Sequence, residues 1–136
     1  PDLATSGGII ETKRIADYCR DAGIGIALHQ AGSPVVAMAN AHSAMAMENF
    51  IALEMHSVDN PWWNDLVDIV GQDGDIIKNG YVEVTDAPGL GLELNEEAIK
   101  EHLAKDSERR AAVYPKGAFE DTSDWDQLDA HDRTWS

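Results

Sequence analysis

Apolar residues recur at helical spacing over residues 9–22, where Ile9, Ile10, Ile15, Ala16, Tyr18, Cys19 and Ala22 are interleaved with charged groups. That spacing predicts a helix, and Gly23 follows as its stop. Ile24-Gly25-Ile26-Ala27-Leu28 is then a short, almost wholly apolar run. Such a run suits a parallel strand, which is buried on both faces. The alternation repeats. Pro34 can open a second helix, and the stretch from Val35 to Met47 is rich in Ala and Met, which favour helix. Asn49 is its stop, and Phe50-Ile51-Ala52-Leu53 is a second apolar run ending at Glu54. Helix and strand alternating at about 25 residues per unit is the mark of a parallel α/β sheet, either doubly wound or closed into a barrel.

After Glu54 the character changes. His56 to Trp63 reads as a polar and aromatic loop, and Asn64 to Val70 as a short helical stretch. Ile76 to Val84 reads as a hairpin with Asn79-Gly80 at its turn. Pro88-Gly89-Leu90-Gly91 is a further turn, and Asn95 is placed to cap a helix from Glu96 to Leu103. Residues 105–136 are polar with scattered aromatics (Tyr114, Phe119, Trp125, Trp135), as in an extended tail that packs on another element. The chain therefore divides into a barrel part, 1–70, and a part holding the hairpin, short helix and tail, 71–136. Two parallel strands alone would leave sheet edges unpaired. Further strands are expected before Pro1, from the same protein or another chain.

Composition narrows the partners. Of 136 residues 43% are apolar, enough for a packed core. There are 25 acidic and 10 basic residues, a net charge of −15, with the acid densest from Glu120 to Asp132. Nucleic acid is excluded as a partner, because phosphate binding needs a basic surface. No apolar run approaches the length of a membrane span. Cys19 is the single cysteine, so no disulfide within the chain and no cysteine metal cluster is expected, and a cytoplasmic setting fits.

The chemistry concentrates at strand ends. Asp2 precedes the turn at Gly7-Gly8, His29 follows Leu28 directly, and Glu54 follows Leu53 directly. In parallel α/β folds the active site forms at the C-terminal ends of the strands. Singly, each has a plainer reading: a structural histidine, a surface acid, a turn aspartate. Together they converge on one pocket. A carboxylate beside an imidazole fixes its tautomer and favours its charged form, as acid–base chemistry requires. A second carboxyl can hydrogen-bond charge developing on a substrate. Gln30, Ser33 and His56 follow the strand ends and are candidates for substrate contact. Trp62 and Trp63 are read as a loop anchor, and Met38, Met45 and Met47 as core packing.

These residues carry a resemblance. Asp2, Gly7-Gly8-Ile9, His29 with Gly32-Ser33-Pro34 behind it, and Glu54 resemble the mandelate racemase branch of the enolase superfamily. Spacings of 27 and 25 positions between Asp2, His29 and Glu54 are similar to those of the sixth, seventh and eighth barrel strands of that branch. Pro88 to Leu92 with Asn95-Glu96 resembles the segment crossing back to an N-terminal capping domain, and the closing Asp132-Arg133-Thr134-Trp135-Ser136 resembles sugar-acid dehydratases. The resemblance implies the C-terminal part of a (β/α)8 barrel, with the hairpin and tail packing on the capping domain. It implies a Mg²⁺-dependent lyase that removes the proton α to a carboxylate and eliminates the β-hydroxyl of an aldonate, giving a 2-keto-3-deoxy acid. Asp2 and His29 would form the dyad, with His29 the acid and also available as base, and Glu54 would bond the substrate carboxylate or enediolate. The Mg²⁺ ligands would lie in upstream strands, with none among these residues, so this segment alone would be inactive. Symmetric oligomers are expected. Two rivals remain: a racemase, epimerase or cycloisomerase on the same scaffold, and a non-catalytic assembly fragment.

Overall fold

The computed structural model describes residues 1–56 and 60–102. Residues Pro1–Asn95 form one compact unit, and a second begins at Glu96. In the first, the elements in order are α1 (Gly8–Asp21), β1 (Ile26–Leu28), α2 (Pro34–Met45), β2 (Phe50–Leu53), a short 3-10 helix (Asn64–Leu66), β3 (Val67–Ile69), β4 (Ile77–Lys78), β5 (Tyr81–Val82) and β6 (Leu92–Leu94). In the second, residues 96–102 are helical, with a Lys100–Glu96 ion pair one turn apart. The expected Leu103 end of that helix and the tail 105–136 lie outside the described residues.

The βαβ core forms as the apolar pattern predicts. Gly7 and Gly8 have φ of 100° and 83°, so the chain turns into α1 through a conformation open chiefly to glycine. Thr12 and Ala16, four residues apart, are the buried residues of α1, and this spacing puts both on one face. β1 and β2 pair in parallel, and Ile26, Leu28 and Met47 pack with Ala16 beneath them. Asn49 ties these layers together: its side-chain amide donates to the Ala16 and Ile24 carbonyls at 3.0 and 2.8 Å. α2 is buried on most sides, at Pro34, Ala37, Met38, Ala39, Asn40, Ala41 and Ser43, so small residues there allow close approach.

A second apolar cluster joins α2 (Ala37, Met38, Ala41) to Trp63, Val67, Ile69 and Ile76. Here the structure corrects two expectations. Residues 64–70 are not one helical stretch: a single 3-10 turn gives way to β3, which pairs antiparallel with β6. Val67 and Ile69 are buried and Asp68 is exposed, the two-residue period of a half-buried strand. Met45 is not core; it is exposed at the end of α2, whereas Met38 and Met47 are buried. The Asn79-Gly80 hairpin forms as expected, with φ of 54° and 81° at its two turn residues. No helix among the described residues is long and apolar enough to cross a membrane.

Candidate active site

Three neighbouring chain segments end side by side. Asp2 forms a parallel bridge with His29, and the His29 amide donates to the Pro1 carbonyl at 3.0 Å. On the other side, the parallel ladder runs past the named strands. The Glu54 amide donates to the Leu28 carbonyl at 2.9 Å, and the His56 amide to the Gln30 carbonyl at 3.1 Å. The backbone thus sets Asp2, His29 and Glu54 side by side on adjacent parallel segments, His29 and Glu54 directly after their apolar runs and Asp2 before the turn at Gly7-Gly8.

The side chains complete the set. The His29 Nδ1–H donates to Asp2 Oδ2 at 2.7 Å. An ionised carboxylate only accepts, so this bond holds the proton on Nδ1 and leaves Nε2 facing away from Asp2. Nε2 lies 3.8 Å from Glu54 Oε2. The other Glu54 oxygen, Oε1, accepts from His56 Nε2 at 2.8 Å. The two imidazole rings stand 5.6 Å apart, tilted by 48°. Asp2 is itself held by the Ala4 amide, which donates to Oδ1 at 2.7 Å. Partial burial acts to raise the Asp2 pKa, but the hydrogen bond from His29, the Ala4 and Thr5 backbone and the His29 charge outweigh it, and the carboxyl titrates below its ordinary value.

The remaining candidates separate by strand period. Successive residues of an extended segment face opposite sides. His29, Glu54 and His56 share the open side; Gln30 lies on the other and is fully buried. Its Oε1 accepts from the Gly32 amide at 2.5 Å, and its Nε2 donates toward the Gly32 and Ser33 carbonyls at 3.3 and 3.5 Å. Expected beside the substrate, Gln30 instead shapes the loop after β1. Trp63 secures the same loop, its indole N–H donating to the Gly32 carbonyl at 2.9 Å. Ser33 is exposed at the start of α2 and its hydroxyl makes no capping bond. One residue escaped the sequence reading. Asn40 is buried in α2, and its amide Nδ2 donates to the His29 carbonyl at 3.5 Å. A lone amide side chain in an Ala- and Met-rich helix was the available signal.

Residues 1–98 match the model of the Enolase C-terminal domain-like family. The chain belongs to that family. D-xylonate dehydratase of Haloferax volcanii is 42% identical over 105 residues, covering 77% of this chain and 24% of that protein. A D-galactonate dehydratase family member of Musicola paradisiaca is 36% identical over 96 residues, covering 69% and 22%. The crystal structure of a mandelate racemase/muconate lactonizing enzyme-like protein from Rubrobacter xylanophilus superposes with a TM-score of 0.72 at 47% identity, covering 75% of this chain and 25% of that one. The chain thus spans about a quarter of the length of the relatives it matches. Members of the family's superfamily typically use Mg²⁺. Two imidazoles and one carboxylate do not suit that ion, which prefers an octahedron of oxygens, and Asp2 is committed to His29. No step through Mg²⁺ follows from these residues.

Proposed function

We propose that this chain supplies part of the active site of a sugar-acid dehydratase, a lyase that converts an aldonate to a 2-keto-3-deoxy acid. The observation that carries the reading is the Asp2–His29 pair, 2.7 Å apart, with Glu54 beside the outward nitrogen. The dehydratase relatives add weight to it. Protonated His29 delivers its Nε2 proton to the β-hydroxyl, whose bond to carbon breaks so that it leaves as water. Asp2 steadies the imidazolium through Nδ1. The α-proton passes to a base supplied from outside these residues, and Glu54 bonds the substrate end that gains charge as that proton departs. In this reading residues 1–70 correspond to the sixth to eighth strands of a barrel, and 71–136 to the region that meets a capping domain. The Mg²⁺ ligands and the rest of the barrel come from outside these 136 residues, from the same or another chain, in a cytoplasmic homo-oligomer. The uncovered face of β2, where Ile51 is 69% exposed, supports further packing there.

The test is product analysis on the complete enzyme with a panel of aldonates. Loss of one water from substrate supports the dehydratase; a product of unchanged mass replaces it with a racemase, epimerase or cycloisomerase. Substituting His29→Asn should abolish turnover. Undiminished turnover in that variant would remove His29 from the chemistry and leave the assembly reading.

A further inference from the structure

We propose that His29, Glu54 and His56 form a binding site for one borderline-soft divalent cation of the zinc type. Their ligand atoms all lie within 4.8 Å of one another. A tetrahedral ion bonded at about 2.0–2.1 Å sets neighbouring ligand atoms about 3.3 Å apart. The observed separations, 2.8 Å from Glu54 Oε1 to His56 Nε2 and 3.8 Å from Glu54 Oε2 to His29 Nε2, fall on either side of that value and involve the two carboxylate oxygens, so Glu54 must turn one oxygen toward both nitrogens to complete the set. Small side-chain rotations therefore close the set. Two imidazoles and a carboxylate, with a fourth position open to water, are a known zinc ligand set, and imidazole also suits nickel and copper.

Two features go beyond proximity. The first is His29 itself. A metal-bound imidazole typically donates its other ring N–H to a carboxylate, which fixes the tautomer and raises ligand basicity. Asp2 already makes that bond at Nδ1, so Nε2 is presented with its lone pair outward. The second is His56. In this structure its Nε2–H fills the gap to Glu54. When an ion takes that place, the ring keeps its proton on Nδ1 and gives its Nε2 lone pair to the metal. Glu54 then has one oxygen for the ion and one to spare. Both ligating strand residues, 54 and 56, lie on one face because their spacing is two.

The site is distinct in chemistry from a Mg²⁺ centre built of oxygens. If the dehydratase reading holds, the same ion would tie up the nitrogen used for proton delivery, and zinc-type cations would inhibit. Binding can be measured without turnover, so the two readings fail separately.

The experiment is calorimetric titration of the full chain with Zn²⁺, with Co²⁺ visible absorption as a spectroscopic report of tetrahedral nitrogen and oxygen ligation. One equivalent should bind in the presence of excess Mg²⁺. His56→Gln and Glu54→Gln should each weaken binding roughly tenfold or more, and Asp2→Asn about 10–100-fold through the orienting bond. His42→Gln, on α2 and bonded to the Leu90 carbonyl, should leave it unchanged. Circular dichroism confirms that each variant folds. Absence of Zn²⁺ binding by the folded chain overturns the proposal. Binding that persists equally in His56→Gln and Glu54→Gln also overturns it, because the ion then sits elsewhere.

Discussion

Asp2→Asn in the complete enzyme tests the dyad most directly. The substitution keeps size and shape. The Asn Oδ1 can still accept from the Ala4 amide, now 2.7 Å from Asp2 Oδ1, so the turn at the chain start survives. What is lost is the negative charge on the 2.7 Å bond to His29. Hydrogen bonds to charged groups are worth about 1.5–3 kcal/mol net, and each 1.4 kcal/mol is tenfold in rate. His29 retains 35% side-chain exposure, so solvent screens part of the effect and the lower half of the range applies. The expected fall in kcat is roughly 10–30-fold. It becomes larger if the new amide turns its NH₂ toward His29 and forces the wrong tautomer, a fault that costs a serine protease about 10⁴-fold. The assay is kcat at saturating aldonate, with thermal unfolding of the variant to confirm its fold. A kcat within about twofold of the parent, in a protein that melts normally, would refute the claim that Asp2 stabilises the imidazolium in the rate-limiting step.

Acid stability follows from the same residue. The Asp2 carboxyl titrates below the ordinary 3.8 in the folded state, so the stabilisation from its ionised form is complete above that value and is lost as pH falls through the lower, folded value. Denaturation measured across the acid range should show Asp2→Asn less stable than the parent near neutrality, with the gap closing below pH 3.8. Leu28→Ala removes a fully buried side chain between α1 and the sheet and should cost about 2–5 kcal/mol in chemical denaturation. Gly91→Ala should cost at least about 1–2 kcal/mol by the same measurement, because φ is 69° there and the added methyl meets Thr85 Oγ1 at 2.7 Å.

The βαβ core was legible because Ile24–Leu28 and Phe50–Leu53 are unbroken apolar runs set between helical stretches, although within this chain β1 alternates buried and exposed positions and β2 is exposed over Phe50–Ala52. The end of each run then located His29 and Glu54 without further assumption. The β3–β6 pair was not legible. Val67-Asp68-Ile69 and Leu92-Glu93-Leu94 are three residues each, too short to separate a two-residue period from a helical one, and they meet only across an intervening segment that holds the β4–β5 hairpin. Met45 was misjudged for a related reason. Helical spacing places it with Met38, but α2 ends at Met45 and nothing in its own sequence says which neighbours continue past that point.

Strand parity also explains why Gln30 and His56, both expected beside the substrate, part company, Gln30 buried and His56 on the open side. Both follow an apolar run closely, but Gln30 is one position after the site residue His29, and His56 is two after Glu54. With a period of two, the first must face the interior and the second the open side. The interior face carries structure: Gln30 and Trp63 both bond Gly32 and pin the loop that leads into α2. From α2, Asn40 reaches back to the His29 carbonyl. The open face carries chemistry, with Asp2, Glu54 and His56 arranged around the two nitrogens of His29 and its neighbour. One strand end thus divides its labour by parity. A change at Gln30 should act through stability and the position of His29, whereas a change at His56 should act on ligands with the fold left intact.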